Sequence, residues 1–395
     1  MKKILFMVTS MNIGGVEKSL LSLLSVIPKE KYDITILLLE KKGGFLEYIP
    51  AWVKIEEATW FKGVKPIIMQ PPQQTIRNYY QNKQYSKIPS FLGAYFIAKH
   101  FNNRYVFYKE VFKNVPANPD QYDIAIAYQG PTDTIDYYIA NKVKAKKKIS
   151  WVHFDVSKHL INDKLYSKLY ENIDKVFVVS KEARKRLIEK VPTVEKKTEV
   201  FLNIIPNQLI NNLAKEKVEF DDDYEGTQIV TVGRLSKEKG QDMAIKVLSR
   251  LRNEGYKVRW YCIGEGNNRK EFEILIDRYG LKDEFVLLGA KPNPYPYMAK
   301  ADVYVQTSRH EGYCLTLAEA KCLAKPIVTT NFIGAYEQIE DGHTGHIVDC
   351  NEEEIFIKIK YLLDNKIAQD WLRSNLTKDV FYTKDELHNI FNNIM

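Results

Sequence analysis

The chain has 395 residues, of which 45% are hydrophobic and 27% are charged. This length suits two domains of ordinary size, and the composition excludes an intrinsically disordered protein. The formal net charge of +8 indicates an anionic partner, such as a nucleic acid, a phospholipid or a phosphorylated substrate.

Hydrophobic runs and cysteines narrow the class of protein further. No run of about twenty uncharged apolar residues occurs, so we expect no membrane-spanning helix. The apolar run at 1–8 is short, lacks a small-residue cleavage site and leads into a Gly-Gly turn. We interpret it as a first buried strand and not as a signal peptide. The cysteines are scattered, which predicts reduced cytosolic thiols and neither a disulfide framework nor a zinc site; they are Cys262, Cys314, Cys322 and Cys350.

Strand and helix signals alternate along the chain, which predicts an α/β protein with parallel sheets and helices on both faces. The pattern pauses at a strand and hinge at 200–207 and then restarts. We therefore place a first Rossmann-like domain at 1–205 and a second at 206–379, and expect a last helix at about 380–395 to pack back on the first. The predicted strands lie at 4–8, 33–39, 53–57, 122–127, 148–153, 175–180, 227–232, 258–263, 285–288, 301–305, 325–330 and 341–348.

A glycine pair follows the first predicted strand. Gly14 and Gly15 open a helix that begins Val16-Glu17-Lys18-Ser19. Such a turn lets the backbone approach a ligand closely. It is not a phosphate-binding Walker A loop, because no glycine directly precedes Lys18-Ser19 at the required spacing. A plain strand-to-helix turn explains the same residues.

The segment 61–115 is rich in basic and aromatic residues. It carries nine lysines and arginines against the single acid Glu110. Aromatic residues from Phe91 to Phe112 recur at spacings of three and four, which predicts an amphipathic helix. Such a helix can contact an anionic membrane surface or a lipid-linked acceptor, or it can simply pack on the sheet. Single-stranded nucleic acid ranks below both, because no RNA-binding motif accompanies the segment.

Two further polar positions have competing interpretations. His153 ends a predicted parallel strand, where open α/β sheets place their ligands, but a lone histidine is more often structural. The acidic run Asp221-Asp222-Asp223 lies in a polar, weakly periodic linker, so we interpret it as a solvated loop. We expect no divalent metal ion in the catalytic site.

In the second half, a strand at 227–232 leads into the loop Gly233-Arg234-Leu235-Ser236-Lys237-Glu238-Lys239-Gly240. Arg234 and Lys239 offer a planar fork and a point charge for a diphosphate, and such cations stabilise a leaving group whose charge grows in the transition state. The alternative is that Arg234 and Lys239 are ordinary solvent-exposed residues of a surface loop. Gly264 and Gly266 begin a Gly-x-Gly-x-x-Gly pattern that lacks its third glycine and follows the wrong strand, which disfavours a dinucleotide dehydrogenase.

The stretch 308–320 is a loop that becomes a helix near Leu315. Glu311 lies in the loop, and Glu319, eight residues later, lies about one turn inside the helix. The amides of residues 313–316 should lack helical partners and could hold a phosphate. The carboxylates would repel that phosphate but can accept hydrogen bonds from sugar hydroxyls. A nucleotide-sugar fits this arrangement, although a solvated acidic face is the simpler explanation of the pair alone.

The Glu311 and Glu319 pair resembles the Glu-x7-Glu signature of the family 4 retaining glycosyltransferases of the GT-B fold. The loop from Gly233 to Gly240 is similar to their Gly-Arg-Leu…Lys-Gly motif. The resemblance implies two Rossmann-like domains with parallel sheets that face each other across a deep cleft.

The same resemblance implies roles for individual residues. Glu311 would contact the donor hexose and Glu319 the ribose. His153 would reach the donor sugar near the reacting carbon, although Phe154 separates it from Asp155 and leaves the role of that aspartate in doubt. The catalytic set is then His153, Glu311, Arg234 and Lys239. The donor-binding set is Gly14, Gly15, Gly233, Arg234, Lys239, Gly264, Ala290, Lys291, Glu311, Tyr313, Cys314, Leu315, Thr316 and Glu319.

The implied function is transfer of a hexose, with retention, from a nucleotide-diphosphate sugar to a glycan or lipid-linked glycan. UDP-sugar is the default donor, and capsule, exopolysaccharide or cell-wall polymer synthesis is the expected setting. We expect no cofactor, no metal ion, no nucleic-acid partner, and a cytoplasmic location that includes the inner membrane face. The alternatives are a GT-B sugar-nucleotide epimerase, a glycogen-type phosphorylase with pyridoxal phosphate, and a non-enzymatic nucleic-acid binding module.

Overall fold

A computed structural model describes residues 1–154, 156, 161–218 and 224–377. Strand β1 (Lys2–Val8) and helix α1 (Gly15–Val26) open the chain. The chain divides into two compact units. Of the described residues, the first unit holds 1–12 and 27–202, and the second holds 13–26 and 203–377. Helix α1 therefore belongs to the second unit, although strand β1 belongs to the first.

The first unit is built on a seven-stranded sheet. Its further elements are β2 (Tyr32–Leu38), β3 (Lys54–Glu57), α2 (Phe61–Met69), α3 (Pro72–Gln81), α4 (Lys87–His100), α5 (Arg104–Val111), β4 (Gln121–Gly130), α6 (Asp133–Lys142), β5 (Lys144–Val152), α7 (Asp163–Tyr170), β6 (Lys175–Val178), α8 (Lys181–Lys190) and β7 (Thr198–Val200). The strand order is β3-β2-β1-β4-β5-β6-β7, and every neighbouring pair is parallel. This order contains the Rossmann sequence 3-2-1-4-5-6.

The second unit contains a six-stranded sheet. After α1 its elements are α9 (Asn207–Leu213), β8 (Thr227–Val232), α10 (Gln241–Asn253), β9 (Val258–Ile263), α11 (Arg269–Arg278), β10 (Phe285–Gly289), α12 (Tyr295–Lys300), β11 (Val303–Gln306), α13 (Leu315–Cys322), β12 (Ile327–Thr330), β13 (His346–Val348), α14 (Glu352–Asp364) and α15 (Lys366–Thr377). The order β10-β9-β8-β11-β12-β13 is again Rossmann-like and parallel throughout. The prediction of two parallel-sheet α/β domains is confirmed.

Buried strands explain why the sequence folds this way. Every residue from Ile4 to Val8 is fully buried. A parallel strand covered by helices on both faces is apolar along its whole length. In the second unit Ile229 and Val230 in β8 are buried in the same way. Two of these buried strands lead into loops with candidate site residues. Gly14 and Gly15 follow β1, and the loop 233–240 follows β8.

The aromatic residues from Phe91 to Phe112 form two helices and not the one helix that their spacing predicts. Helix α4 ends at His100, and α5 begins at Arg104. Between them Asn102 has a φ of 51°, a left-handed conformation that asparagine tolerates but an α-helix does not continue through. Phe91 and Phe112, on either side of the break, are buried, whereas Phe101 beside it is 61% exposed.

The strand predicted at 200–207 lies earlier in the structure, at β7, and residues 201–206 form no strand. Pro206 has no amide hydrogen for a ladder, and the side chain of Asn203 accepts a hydrogen bond from Ser19 Oγ at 2.6 Å. The predicted helix at 380–395 and the acidic run 221–223 lie outside the described residues, and the domain bounds at 205 and 379 stay predictions.

Candidate active site

Glu311 and Lys239 form an ion pair in the loop before α13. Lys239 Nζ lies 2.5 Å from Glu311 Oε1, and Ser308 Oγ donates to the same oxygen at 2.8 Å. The two ionic side chains are only 20% and 10% exposed. Burial acts to lower the pKa of Lys239, but the attraction of Glu311 outweighs it, so the pKa is raised. Lys239 therefore stays cationic at neutral pH.

Gly240 fixes the course of the loop that carries Lys239. Its φ is +71°, and a Cβ on this residue would lie 2.0 Å from the carbonyl oxygen of Thr307. Thr307 Oγ1 in turn donates to the carbonyl of Lys239 at 2.9 Å. Glycine is required here for its conformation and for the close approach of two backbones.

Arg309 ties the same loop to the residues that follow β11. Its amide donates to the carbonyl of Glu238 at 2.7 Å, and its Nη1 donates to the carbonyl of Lys237 at 2.6 Å. Its guanidinium also bonds both carboxylate oxygens of Asp242 at 2.8 Å. These contacts hold the backbone on either side of Lys239 in place.

Arg234 lies in the same loop but is not paired with Glu311 in this structure. Its side chain is 67% exposed, and its recorded ion pair is with Glu238 at 3.6 Å. The preceding residue, Gly233, would place a Cβ 3.8 Å from the Lys239 side chain, which leaves room for a ligand to approach. Arg234 is thus a solvent-exposed cation on the loop that presents Lys239.

Glu319 is more deeply buried than Glu311 and has its own cation. Lys18 Nζ lies 2.8 Å from Oε1 and 2.9 Å from Oε2, and the Glu319 side chain is 4% exposed. The hydroxyl of Tyr295 donates to Oε1 at 3.2 Å. Lys18 Nζ also lies 4.4 Å from the centre of the Tyr295 ring.

The start of α13 has an unusual backbone. Cys314, its N-cap, has a φ of 67° and a ψ of 79°. Thr316 Oγ1 bonds Gln306 Oε1 at 3.3 Å, and Gln338 Nε2 bonds the carbonyl of Tyr313. The first amides of a helix have no intrahelical acceptor and point out from its positive end, so the amides of residues 313–316 are placed to donate to a ligand. The structure thus confirms that the helix begins at Leu315.

Gly14 and Gly15, where helix α1 begins, belong to the second unit. A Cβ on Gly15 would meet only Leu315 Cδ1, at 4.0 Å, whereas one on Gly14 would lie 2.5 Å from Glu17 Oε2. The Glu17 carboxyl therefore folds back over Gly14. Glu17 is 7% exposed, and burial raises its pKa to about 7.

Three other predicted donor residues line neighbouring loops of the second unit. Gly264 has a φ of +152°, and a Cβ there would lie 2.0 Å from the carbonyl of Gly233. Its glycine requirement is thus explained by packing against the Lys239 loop. Ala290 and Lys291 are half-buried after β10, and Lys291 Nζ lies 6.0 Å from the centre of the Tyr297 ring.

His153 directly follows β5 in the first unit, as predicted. Its amide donates to the carbonyl of Gly130 at 3.2 Å, and its ring lies 4.6 Å from that of Tyr128. Burial lowers the pKa of His153 to about 3, and a hydrogen bond to the Tyr128 backbone only partly opposes this. The imidazole is therefore neutral at physiological pH. Within the described residues, Nε2 has no hydrogen-bond partner.

The structure brings together several residues that sequence reasoning did not select. Lys18 and Tyr295 flank Glu319, and Arg309 and Asp242 hold the Lys239 loop. Lys18 precedes its partner by 301 residues, so no local pattern could indicate the contact. Arg309 stands inside the motif, but its role depends on a loop 67 residues away.

Within the part of the chain that the structure describes, no three His, Cys, Asp or Glu side chains lie close enough to hold a metal ion. Three cations among the described residues lie at or beside the two glutamates, those of Lys18, Arg234 and Lys239. The arrangement can therefore neutralise an anionic ligand with protein side chains, while Glu311 and Glu319 provide acceptors for hydroxyl groups.

Comparison with known proteins relates this geometry to a family. Residues 214–379 match the family model described as glycosyl transferases group 1. The chain is 30% identical over 228 residues to the N-acetylgalactosamine-N,N'-diacetylbacillosaminyl-diphospho-undecaprenol 4-alpha-N-acetylgalactosaminyltransferase of Campylobacter jejuni, a match covering 57% of this chain and 60% of that protein. It is 29% identical over 185 residues to the capsular polysaccharide biosynthesis glycosyltransferase CapM of Staphylococcus aureus, covering 44% and 46%. The chain thus spans less than two thirds of the length of either relative.

A solved structure matches both units. The crystal structure of Anabaena Alr3699/HepE in complex with UDP and glucose superposes with a TM-score of 0.72 at 17% identity, covering 100% of this chain and 99% of that one. The resemblance to glycosyltransferases of the GT-B fold that the motifs indicate is confirmed. Residues 214–379 are thus similar to the glycosyl transferases group 1 family, and the two parallel-sheet Rossmann-like units have the fold of the GT-B glycosyltransferases.

Proposed function

We propose that the protein is a retaining hexosyltransferase, similar to family 4, that uses a nucleotide-diphosphate sugar. The acceptor is a glycan or a lipid-linked glycan, and the product enters capsule, exopolysaccharide or cell-wall polymer synthesis. The Campylobacter relative's name specifies a diphospho-undecaprenol acceptor, and the S. aureus relative's name specifies capsule synthesis. The UDP in the Anabaena structure favours UDP-sugar as the donor.

The single observation that supports this function best is the buried ion pair between Lys239 and Glu311 beside the start of α13. Two charges this poorly exposed are costly to desolvate, so the pair is weak support for stability alone, and ligand binding gives it a function. Lys239 is suited to the donor diphosphate, and Glu311 to a hexose hydroxyl. A donor that bridges the two groups would share the Lys239 ammonium between the carboxylate and the phosphate.

In this mechanism the departing nucleoside diphosphate gains negative charge in the transition state. Lys239, the exposed Arg234 and the amides of residues 313–316 stabilise that charge. Glu319 accepts a hydrogen bond from the ribose. The departing phosphate oxygen takes the proton of the acceptor hydroxyl on the same face of the sugar, which retains the anomeric configuration. Neutral His153 contacts the donor sugar near the reacting carbon.

The remaining donor residues act through the backbone. Gly15 and Gly233, where an added Cβ would meet no atom closer than 3.8 Å, allow close approach to the phosphates. Gly14 and Gly264 shape the loops beside them, and Ala290 and Lys291 border the nucleobase through main-chain atoms. We propose that the reaction needs no metal ion or cofactor, because the protein's own cations neutralise the diphosphate.

Transfer of labelled sugar tests this function. The protein is incubated with labelled UDP-hexoses and a bacterial membrane extract, and label in the lipid and glycan fractions is counted. Replacing one group that stabilises the transition state costs about 10²–10³ in rate, so we expect losses of this size for K239M and E311Q. The matched control is K237M, whose ammonium pairs with Glu271 at 3.3 Å in the same loop. Full transfer by both site variants contradicts the assignment. Conversion of the sugar without acceptor indicates the epimerase.

The acceptor side involves the segment 61–115. No described helix has the length and apolarity that crossing a membrane requires. Helix α4 and its C-terminal flank nevertheless expose Leu92 (44%), Phe96 (54%) and Phe101 (61%). Exposed cations of the same segment accompany them; these are Lys62, Arg77, Lys83, Lys99, Lys109 and Lys113. We propose that this surface lies on the anionic inner leaflet, and that the protein works in the cytoplasm at that membrane.

Vesicle sedimentation tests the membrane contact. We expect binding to vesicles that contain phosphatidylglycerol, weaker binding as salt increases, and little binding to phosphatidylcholine alone. The double variant L92E/F96E should lose most of this binding. The matched control is I367E/W371E, since these residues are 82% and 55% exposed in the second unit. Equal binding by both double variants contradicts the proposal.

A further inference from the structure

The cation on Glu319 is the feature that the proposed function leaves unexplained. Lys18 Nζ lies within 2.9 Å of both oxygens of the carboxylate, and the side chain of Lys18 is only 15% exposed. The proposed function assigns the same carboxylate to the ribose. A ribose hydroxyl must therefore share Glu319 with Lys18 or displace it.

Counting acceptor sites separates these two possibilities. A carboxylate has two oxygens and about four lone-pair sites. Lys18 occupies a site on each oxygen, and the Tyr295 hydroxyl occupies a second site on Oε1. Burial and the nearby carboxylate raise the pKa of Tyr295, so its hydroxyl remains a donor. Counting donors from the described residues alone, one site is left, on Oε2, which can serve one hydroxyl.

Displacement of Lys18 would be costly for three reasons. Its ammonium lies 4.4 Å from the centre of the Tyr295 ring and gains a cation–π contact there. The next residue, Ser19, is anchored by its hydrogen bond to Asn203 at 2.6 Å. Removing the cation would also leave a carboxylate that is 4% exposed without its charge partner.

We propose that Lys18 is a specificity-determining residue of the donor site: it stays bound to Glu319 and limits it to a hydrogen bond from one of the two ribose hydroxyls. Lys18 acts through Glu319 and is thus a positioning residue. The inference rests on the proposed function and adds a specificity for the nucleoside: Glu319 accepts a hydrogen bond from one ribose hydroxyl and not from the other.

Binding of UDP, 2′-deoxy-UDP and 3′-deoxy-UDP, measured by calorimetry, tests the inference. For the wild-type protein we expect about a tenfold loss of affinity with one deoxy analogue, since a hydrogen bond to an ionised group is lost, and less than about a twofold loss with the other. In K18M the acceptor sites that Lys18 occupied are open to the second hydroxyl, so the two analogues should lose similar affinity and the tenfold ratio should fall towards one. K18R restores the charge and should recover most of the ratio. K29M, at an exposed lysine, is the matched control.

Each outcome decides a separate point. Equal losses with both analogues in the wild type mean that Lys18 is displaced, which overturns the inference. An unchanged ratio in K18M also overturns it, even if that variant binds UDP less tightly, because a purely structural role would weaken all three nucleotides alike. In both cases sugar transfer by the wild type leaves the proposed function intact. A wild type that binds none of the three nucleotides overturns both.

Discussion

Asp136 and Glu17 are buried carboxyl groups, one in each unit. Asp136 is fully buried at the start of α6, where Ser150 Oγ donates to it at 2.6 Å and the amide of Thr132 donates at 2.8 Å. Burial raises the pKa of both groups to about 7, against ordinary values of 3.8 for Asp136 and 4.5 for Glu17. Each hydrogen bond to Asp136 favours the ionised form, but desolvation dominates.

These two groups predict how stability depends on pH. Between the ordinary value and about 7, the native protein keeps protons that the unfolded chain has released, so stability falls as pH rises. The slope is about 1.4 kcal/mol per pH unit for each group that is fully shifted. D136N should remove one such contribution.

Chemical unfolding at pH 5, 6, 7 and 8 checks this prediction. Because an amide at position 136 also alters hydrogen bonds, the slope against pH is the readout and not the absolute stability. D283N, at an exposed aspartate, should keep the wild-type slope. Identical slopes for the wild type and D136N would show that Asp136 is ionised in the native state.

For individual residues, the motif predicted the positions that depend only on the neighbouring sequence. The placement of Glu311 before α13 and of Glu319 inside it follows from the helix start at Leu315, which an apolar pattern indicates. The engagement of each carboxylate by a lysine could not be predicted, because both contacts join distant parts of the chain. The same limit applies to His153, whose burial depends on Tyr128 and Trp151.

Among the structural elements, the loop from Gly233 to Gly240 depends most on a single residue. A side chain at Gly240 would face two penalties: a left-handed backbone at φ +71° and a Cβ 2.0 Å from the Thr307 carbonyl. Gly255 provides a matched comparison, since its φ is +89° but no atom lies within 4 Å of its Cβ position.

We predict that G255A lowers the free energy of unfolding by about 1–2 kcal/mol, the cost of a left-handed residue, and leaves nucleotide binding unchanged. G240A should cost more and should also weaken UDP binding, because the backbone must move and Lys239 moves with it. Urea unfolding and UDP titration of both variants measure this. Equal effects of the two substitutions would show that the contact with Thr307 does not position the loop.

Element boundaries show where sequence patterns suffice. Apart from β7, the strands of both sheets were predictable, because buried parallel strands tend to be apolar runs between turn residues. The division of the aromatic stripe into α4 and α5 was not, because spacing alone does not reveal that Asn102 adopts a left-handed conformation.

For the whole molecule, the architecture was predicted because the Rossmann pattern of alternating strands and helices occurs twice in the sequence. The assignment of α1 to the second unit was not predictable, since it depends on contacts such as Lys18 with Glu319. It also changes the account of the donor site. Helix α1 contributes the Lys18 cation to the Glu319 carboxylate. The site therefore combines residues from the first and second halves of the sequence.

The central claim is that the loop at 308–316, with Arg234 and Lys239, binds the diphosphate of an activated sugar. The most direct measurement is a crystal structure of the protein soaked with UDP. We predict diphosphate density at the start of α13, within hydrogen-bond distance of Lys239 Nζ and the amides of residues 313–316, with the ribose at Glu319. Density for the nucleotide at any other place on the molecule, with this loop empty, would contradict the account.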